Sequence, residues 1–286
     1  MKLIQTPEEM LEQVKAWRKE GLTIGLVPTM GCFHEGHLSL MRYARERADR
    51  VIVTLFVNPI QFGPGEDLAA YPRDLARDQE LAAGEGMDVL YAPDAASMYP
   101  HGFQTTIRVG ALSRGLCGAS RPGHFDGVCT VVMKLFQQTR PHFSVFGEKD
   151  FQQLAVIRRM VIDLDLDIDI IGHPIVREPD GLAMSSRNIY LEGEERQQAL
   201  CLSRAAALAR ELVASADHPL PVKDLVAELE SSLSREPACT VDYVAVVDEE
   251  TFLPPDYASP SSRLIMAVKI NRRVRLIDNA SLYHTT

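Results

Sequence analysis

This chain has no closely spaced pair of cysteines. Its five, Cys32, Cys117, Cys129, Cys201 and Cys239, are scattered, and no two stand as C-x-x-C. An odd, dispersed set suits reduced thiols in a cytoplasmic protein better than a disulfide framework. There is no H-E-x-x-H, so a metal reading of the histidines needs ligands from elsewhere in the chain. No apolar run approaches the roughly 18–20 residues that span a bilayer. The first residues, "MKLIQTPEEMLEQVKAW", are acidic early and lack a long apolar core, so no secretory signal is expected there. Positive charge is in deficit: 30 Lys and Arg against 39 Asp and Glu, a formal net charge of −9. That argues against a general nucleic-acid binder, while leaving room for a local cationic pocket. Internal repeats and low-complexity tracts are absent.

What is present is an ordinary globular composition, 46% apolar and 24% charged over 286 residues. It is enough for one large or two modest domains. Short β-branched runs at 22–28, 50–59, 87–93, 143–147 and 167–174 read as strands. Helical patterns lie between them, in "HLSLMRYARERA", "PRDLARDQELAAGEG", "GVCTVVMKLFQQTRP" and "DFQQLAVIRRMVIDL". This alternation implies βαβ units and a Rossmann-like parallel sheet covered on both faces, with ligands at the carboxyl ends of the strands. Past about residue 190 the pattern changes. A long amphipathic helix, "GEERQQALCLSRAAALARELVASAD", and a second, "PVKDLVAELESSLSREP", precede three strands with no helices between them. The expected fold is α/β over residues 1–175, followed by a smaller α+β domain with an antiparallel sheet over 176–286.

The first chemical motif is "PTMGCFHEGHLSL", residues 28–40. If a helix starts near His34, then His34 and His37 share a face one turn apart. Exposed amides at a helix start favour an anion, and two histidines beside them can meet charge that builds in a transition state. Gly31 and Gly36 would let a nucleotide approach the backbone. Metal binding and simple packing remain as alternatives, because H-x-G-H alone is short. Cys32 in this turn reads first as a small tolerated side chain. If it is instead sensitive to oxidation beside a nucleotide, mild oxidant would cost activity, and Cys32→Ser would spare it.

Three further constellations fall at strand ends. "REPDGLAMSSRNIYL" (177–191) makes a turn at Pro179–Gly181 and then offers Ser185, Ser186 and Arg187 to phosphate oxygens; a hydrophilic linker is the plain alternative. "FGEKDFQQL" (146–154) leaves a buried strand at Gly147 into Glu148, Lys149 and Asp150. Lys149 suits phosphate, Asp150 can cap the next helix, and Gln153 lies on its first turn. "FVNPIQF" (56–62) supplies the neutral groups Asn58 and Gln61 for hydroxyls or a carboxylate, with Pro59 stiffening the turn. Arg73, Arg121 and His124 add cations to an acidic chain.

Together, "PTMGCFHEGH", "FVNPIQF", "YPRD", "RPGHFDGVCTVVMKLF", "FGEKDFQQL" and "REPDGLAMSSRN" resemble the pantothenate synthetase (pantoate–β-alanine ligase) family, in the family's order, over about residues 25–190. The C-terminal part resembles the family's smaller domain less distinctively. Within the HIGH/KMSKS-type nucleotidyltransferases to which that family belongs, "HEGH" and "MSSR" look like the two signatures. The resemblance implies ATP-dependent condensation of pantoate with β-alanine through a pantoyl adenylate, with AMP and pyrophosphate released and Mg²⁺ accompanying ATP. It implies His37 as proton donor, with His34, Lys149 and Arg187 in the chemistry. Met30, Gly31, Cys32, Phe33, His34, Glu35, Gly36 and His37 would border ATP. So would Gly147, Glu148, Lys149, Asp150, Val176, Met184, Ser185, Ser186 and Arg187. Gln61 and Gln153 look like the pantoate-binding glutamines, with Gln61 near β-alanine too, and Asn58 and Arg121 rank behind them. The metal ligands are left open, with Asp78 and Asp150 as the carboxylates to consider. A cytoplasmic homodimer is expected, with no nucleic-acid or membrane partner. Two other classes compete: a nucleotidylyltransferase without an amine acceptor, and a non-catalytic nucleotide-binding protein.

Overall fold

The structure, a computed structural model, describes residues 1–283. It divides into two compact units, one comprising residues 1–148 and 152–174, the other Lys149–Phe151 and the chain from Ile175 onward.

The first unit opens with β1 (Lys2–Ile4) and α1 (Pro7–Lys19). Thr6 caps α1 by accepting the Glu9 N–H, and acidic residues in its first turn and basic ones in its last complement the helix dipole. Then come β2 (Ile24–Val27), α2 (Glu35–Arg45), β3 (Arg50–Thr54), a 3-10 turn at Pro59–Gln61, α3 (Leu75–Gly84) and β4 (Val89–Tyr91). The short helices α4 (Ala95–Met98) and α5 (Cys117–Ser120) precede α6 (His124–Thr139) and β5 (Phe143–Gly147). A 3-10 turn at Glu148–Asp150 leads into α7 (Phe151–Asp163), and β6 (Asp169–His173) completes the sheet.

All six strands are parallel, in the order β1-β4-β3-β2-β5-β6. Alternate side chains go to opposite faces. Ile24, Leu26, Ile52, Val89 and Tyr91 join one apolar cluster with residues of α1, α6 and α7. Val27, Val51, Val53 and Leu90 join the other, with residues of α2 and α3. Both faces are therefore covered, which is why these strands read as continuous apolar runs. At Gly25 the neighbouring strand comes so close that an added Cβ would stand 2.7 Å from the Phe143 ring.

The order reverses around β2: β3 lies on one side of it and β5 on the other. In such sheets ligands occupy the crevice beyond the carboxyl ends at that reversal. The segments after β2, β3, β5 and β6 all leave the sheet at that edge.

In the second unit, a 3-10 turn at Ser186–Tyr190 is followed by α8 (Glu194–Ala199), α9 (Cys201–Ser215) and α10 (Val222–Ser234). The strands β7 (Cys239–Asp248), β8 (Ser262–Ile270) and β9 (Val274–Ser281) form an antiparallel sheet in that order. Leu202 and Ala209 of α9 and Leu225 and Leu229 of α10 share one core with Leu264, Met266, Val268 and Leu276 of the sheet.

The α/β fold with a separate antiparallel sheet is as the pattern of runs implies. Three details differ. The strand and helix within residues 1–21 were not among the expected elements, since three residues of strand carry no readable period. The run 50–59 is strand only to Thr54. The single long helix expected from residue 193 is two helices, α8 and α9, that meet at Leu200, which caps the end of one and the start of the other.

Candidate active site

The turn after β2 is held from below. Gly31 and Cys32 both take positive φ, +85° and +53°. The Cys32 and Phe33 amides donate to the two oxygens of Asp78, at 2.6 and 2.7 Å. Asp78 comes from the first turn of α3 and is fully buried. Burial pushes its pKa up, against the pull of the two amides. A Cβ at Gly31 would stand 2.9 Å from Leu55 Cγ and 3.0 Å from Asp78 Oδ2. The glycine is thus required by backbone conformation and by its carboxylate neighbour, and not only to admit a ligand.

Two expectations change here. Asp78 does not suit a metal, since both of its oxygens are taken by backbone amides in a buried setting. Phe33 does not turn its side chain to a nucleotide: it is buried in the core with Val27, Leu40 and Met41. Only its backbone stays in the turn.

His34 is the N-cap of α2, and Glu35 sits in the helix's first turn, where its charge favours the dipole. Glu35 is also paired with Arg42 one face along. The His34 and His37 rings lie together, with centroids 4.1 Å apart. The His34 N–H points to His37 Nδ1 at 3.4 Å. A nitrogen that accepts carries no proton, so neutral His37 holds its proton on Nε2. Among the described residues, no group of three His, Cys, Asp or Glu could hold a metal ion. The pair therefore has no third ligand there.

After β3, Gln61 is buried in the 3-10 turn. Its Oε1 accepts from Asn58 Nδ2 at 3.0 Å, and its Nε2 points to the Met30 sulfur at 3.1 Å. The thioether is a weak acceptor, so this N–H is easily redirected to a ligand oxygen. Asn58, expected to touch substrate, is 1% exposed and fully engaged. It also donates to Gly127 O at 3.1 Å and accepts from the Tyr99 hydroxyl at 2.7 Å. It orients Gln61 instead of meeting a ligand. Helix α6 presses onto the turn at Gly127, where a Cβ would stand 2.6 Å from Ile60 O.

Arg121 makes a two-pronged pair with Glu66, at 2.7 and 2.6 Å. It also reaches His124 Nε2 at 3.0 Å, while His124 Nδ1 donates to Gln61 O at 2.9 Å. Since a guanidinium only donates, His124 accepts at Nε2 and donates at Nδ1. Arg121 is thus tied into the frame around Gln61, and a direct contact with substrate would have to compete with Glu66. Tyr99, Glu66 and Gly127 went unnoticed in the sequence. Tyr99 and Gly127 lie far along the chain from Asn58 and Gln61, and Glu66, though close to Gln61 in sequence, is marked only by its pairing with the distant Arg121.

The two glutamines of "FQQL" separate. Gln152 is buried, accepts from Cys117 N and donates to Leu112 O and Gly115 O, so it holds the 112–117 loop. Gln153, half-buried beside it, makes no side-chain hydrogen bond among the described residues.

In the second unit, Lys149 and Asp150 are neighbours, with ammonium and carboxylate 4.0 Å apart. The "REPDGLAMSSRN" stretch forms a tight hairpin. Arg177 bridges Ala183, Gly181 turns at φ +94°, and Met184 N donates to Val176 O at 3.0 Å. Val176 and Met184 are thereby brought side by side. Ser185 caps the following 3-10 turn by accepting from Arg187 N, and Ser186 is buried within it. Asn188 ties the hairpin to Glu178, which with Asp180 grips Arg196.

A parallel sheet with a histidine-bearing helix start at its carboxyl edge defines an α/β protein of the Rossmann-like class. The chain belongs to the pantoate–β-alanine ligase family, whose model matches residues 2–281. The pantothenate synthetase of Desulfotalea psychrophila is 53% identical over 284 residues, 99% of each chain. That of Heliobacterium modesticaldum is 54% identical over 280 residues, 98% of each. The crystal structure of pantothenate synthetase from Thermus thermophilus superposes with a TM-score of 0.93 at 44% identity, covering 99% of this chain and all of the other. The pantoate–β-alanine ligase of Francisella tularensis, complexed with βγ ATP and β-alanine, gives 0.77 at 33% identity over 99% of this chain.

Proposed function

We propose that this chain joins pantoate to β-alanine at the expense of ATP, in two steps. In the first, a pantoate carboxylate oxygen attacks the α-phosphorus of ATP, and pyrophosphate leaves. In the second, the β-alanine amine attacks the acyl carbon of the adenylate, and AMP leaves. The start of α2 is the observation that carries this reading: His34 caps the helix and His37 stands one turn on, with ring centroids 4.1 Å apart beside the helix's first amides.

The first step builds negative charge on the phosphorus oxygens and on the departing pyrophosphate. His37 Nε2–H, His34 and the first amides of α2 are donors suited to that charge. Within the second unit, Lys149, Ser185, Ser186 and Arg187 are donors of a kind that suits phosphate oxygens. Gln61 and Gln153 present carboxamides to the hydroxyls and carboxylate of pantoate, with Gln61 turned by Asn58. Leaving such a buried group unpaired is costly, which favours a hydroxylated acid over an apolar one. Mg²⁺ bound with ATP would offset charge on its phosphates, and Asp150, half exposed, would be a carboxylate able to share it. The first unit would carry ATP and pantoate, and the second the MSSR hairpin. A cytoplasmic homodimer completes the proposal.

Pyrophosphate exchange into ATP should depend on pantoate alone, and AMP release on β-alanine as well. Absence of both with Mg²⁺ present would exclude the ligase. His37→Ala and Lys149→Ala should each lower turnover about 10²-fold or more, as for loss of one transition-state donor. Near-normal turnover in either removes that residue from the chemistry. Gln61→Ala should mainly weaken use of pantoate or β-alanine.

A further inference from the structure

Asp278 and Asn279 are consecutive on β9, and a strand sends consecutive side chains to opposite faces. Leu276 and Ala280, on the Asp278 side, belong to the core shared with α9 and α10. Asn279 shares its side with Ser281, whose cross-strand partner is Arg263. Both polar side chains are 1% exposed.

Each is committed to a segment outside the sheet. The Asp278 oxygens accept both arms of Arg177, at 2.7 and 2.9 Å, and Arg177 also donates to Gly181 O at the hairpin tip. Asp278 Oδ1 further accepts the Asn279 N–H at 2.8 Å. On the other side, Asn279 Nδ2 donates to the carbonyl of Lys149 at 2.9 Å. Its Oδ1 accepts from Arg263 at 2.7 Å. Arg263 in turn bonds Glu249 and lies 3.9 Å over the ring of Phe151, which stacks on Phe252.

A buried carboxylate and a buried carboxamide add little net stability where apolar side chains would fit, and each is costly once its partner is lost. What they supply is a fixed direction. We propose that the Asp278–Asn279 step is a positioning element for the first chemical step. One face of β9 holds the hairpin that carries Ser185, Ser186 and Arg187, and the other holds the backbone of Lys149. The proposal rests on the roles given above to Lys149 and Arg187. Neither residue 278 nor residue 279 belongs to a motif that carried the family resemblance.

The test is Asn279→Asp, nearly isosteric, which removes the N–H donor to Lys149 and keeps the acceptor for Arg263. Turnover in pantoate-dependent pyrophosphate exchange should fall about 10- to 100-fold, the scale of a small misplacement of a catalytic group. KM for pantoate should stay near its original value. In a Lys149→Ala background the same change should cost almost nothing, because there is no ammonium left to place. Asp278→Asn should behave the same way against Arg187→Ala. Should Asn279→Asp fail to fold, Asn279→Ala, which also lacks the donor to the Lys149 carbonyl, is carried through the same cycle with the same expected outcomes. Full turnover in Asn279→Asp while Lys149→Ala is impaired would overturn the positioning role and leave the ligase reading standing. Losses that simply add in the double variants would do the same. Normal turnover in Lys149→Ala would overturn both this proposal and the role of Lys149.

Discussion

Glu66 and Arg121 sit beside Gln61, and their pairing ties the loop after β3 to the start of α6. Burial works against the charge on Glu66, but the hydrogen bonds and charge of Arg121 outweigh it and hold its pKa below the ordinary 4.5. A carboxylate with a lowered folded pKa stabilises the fold above its unfolded pKa. That contribution is lost as pH falls through the folded value. Glu66→Gln should therefore melt lower at neutral pH and lose less on acidification below about pH 4.5, as thermal melts across that range would record. Parallel curves for the two proteins would refute the pairing's contribution. At this scale the sequence named His34, His37, Gln61, Lys149 and Arg187 from side-chain chemistry. It could not tell that Asn58 is spent on holding Gln61, or that Asp78 is spent on two amides. Both facts depend on what lies across the fold, not on what each residue can do.

Among elements, α6 packs closely on the 59–61 turn at Gly127. Gly127→Ala should destabilise the first unit by about 1–3 kcal/mol through overpacking and should weaken pantoate use, because Gln61 is in that turn. Gly84→Ala, with nothing within 4 Å of the new Cβ, is the control and should be close to neutral. Denaturant unfolding of both variants settles the comparison. A second contact joins α9 to β7. Cys201 and Cys239, distant in the sequence and read there as scattered thiols, stand with sulfurs 3.8 Å apart. The hydrogen bond from Cys201 favours the Cys239 thiolate, while that bond and burial push the Cys201 thiol up. Peroxide should oxidise this pair to a disulfide with release of two waters, lowering the thiol count from five to three. Peptide mapping that finds both residues still reduced would contradict it. Helices and strands themselves were legible where a run was long. β1 was not, because its three residues are strand only through their pairing with β4.

At the scale of the whole molecule, two units with separate apolar cores make up one ligase chain. Ligand binding to the native state should raise its stability by mass action. ATP with pantoate at about 100 times their dissociation constants would add about 2.7 kcal/mol per site. Differential scanning calorimetry should show the melting point rising with ligand concentration. No rise at concentrations that saturate pyrophosphate exchange would mean that the ligands do not favour the folded form.

The sequence by itself determined the alternation of strands and helices, the change to an antiparallel sheet, and the motifs that match the ligase family. Those are local matters of period, turn chemistry and residue type. Tertiary structure alone decided the order of the strands and which of Gln152 and Gln153 is structural. It also decided the partners of Asp78 and Asn58, the meeting of Cys201 with Cys239, and the use of β9 to hold two segments at once. These are pairings between residues far apart in the chain, and their energy arises only when packing removes water and leaves each buried polar group one partner to find.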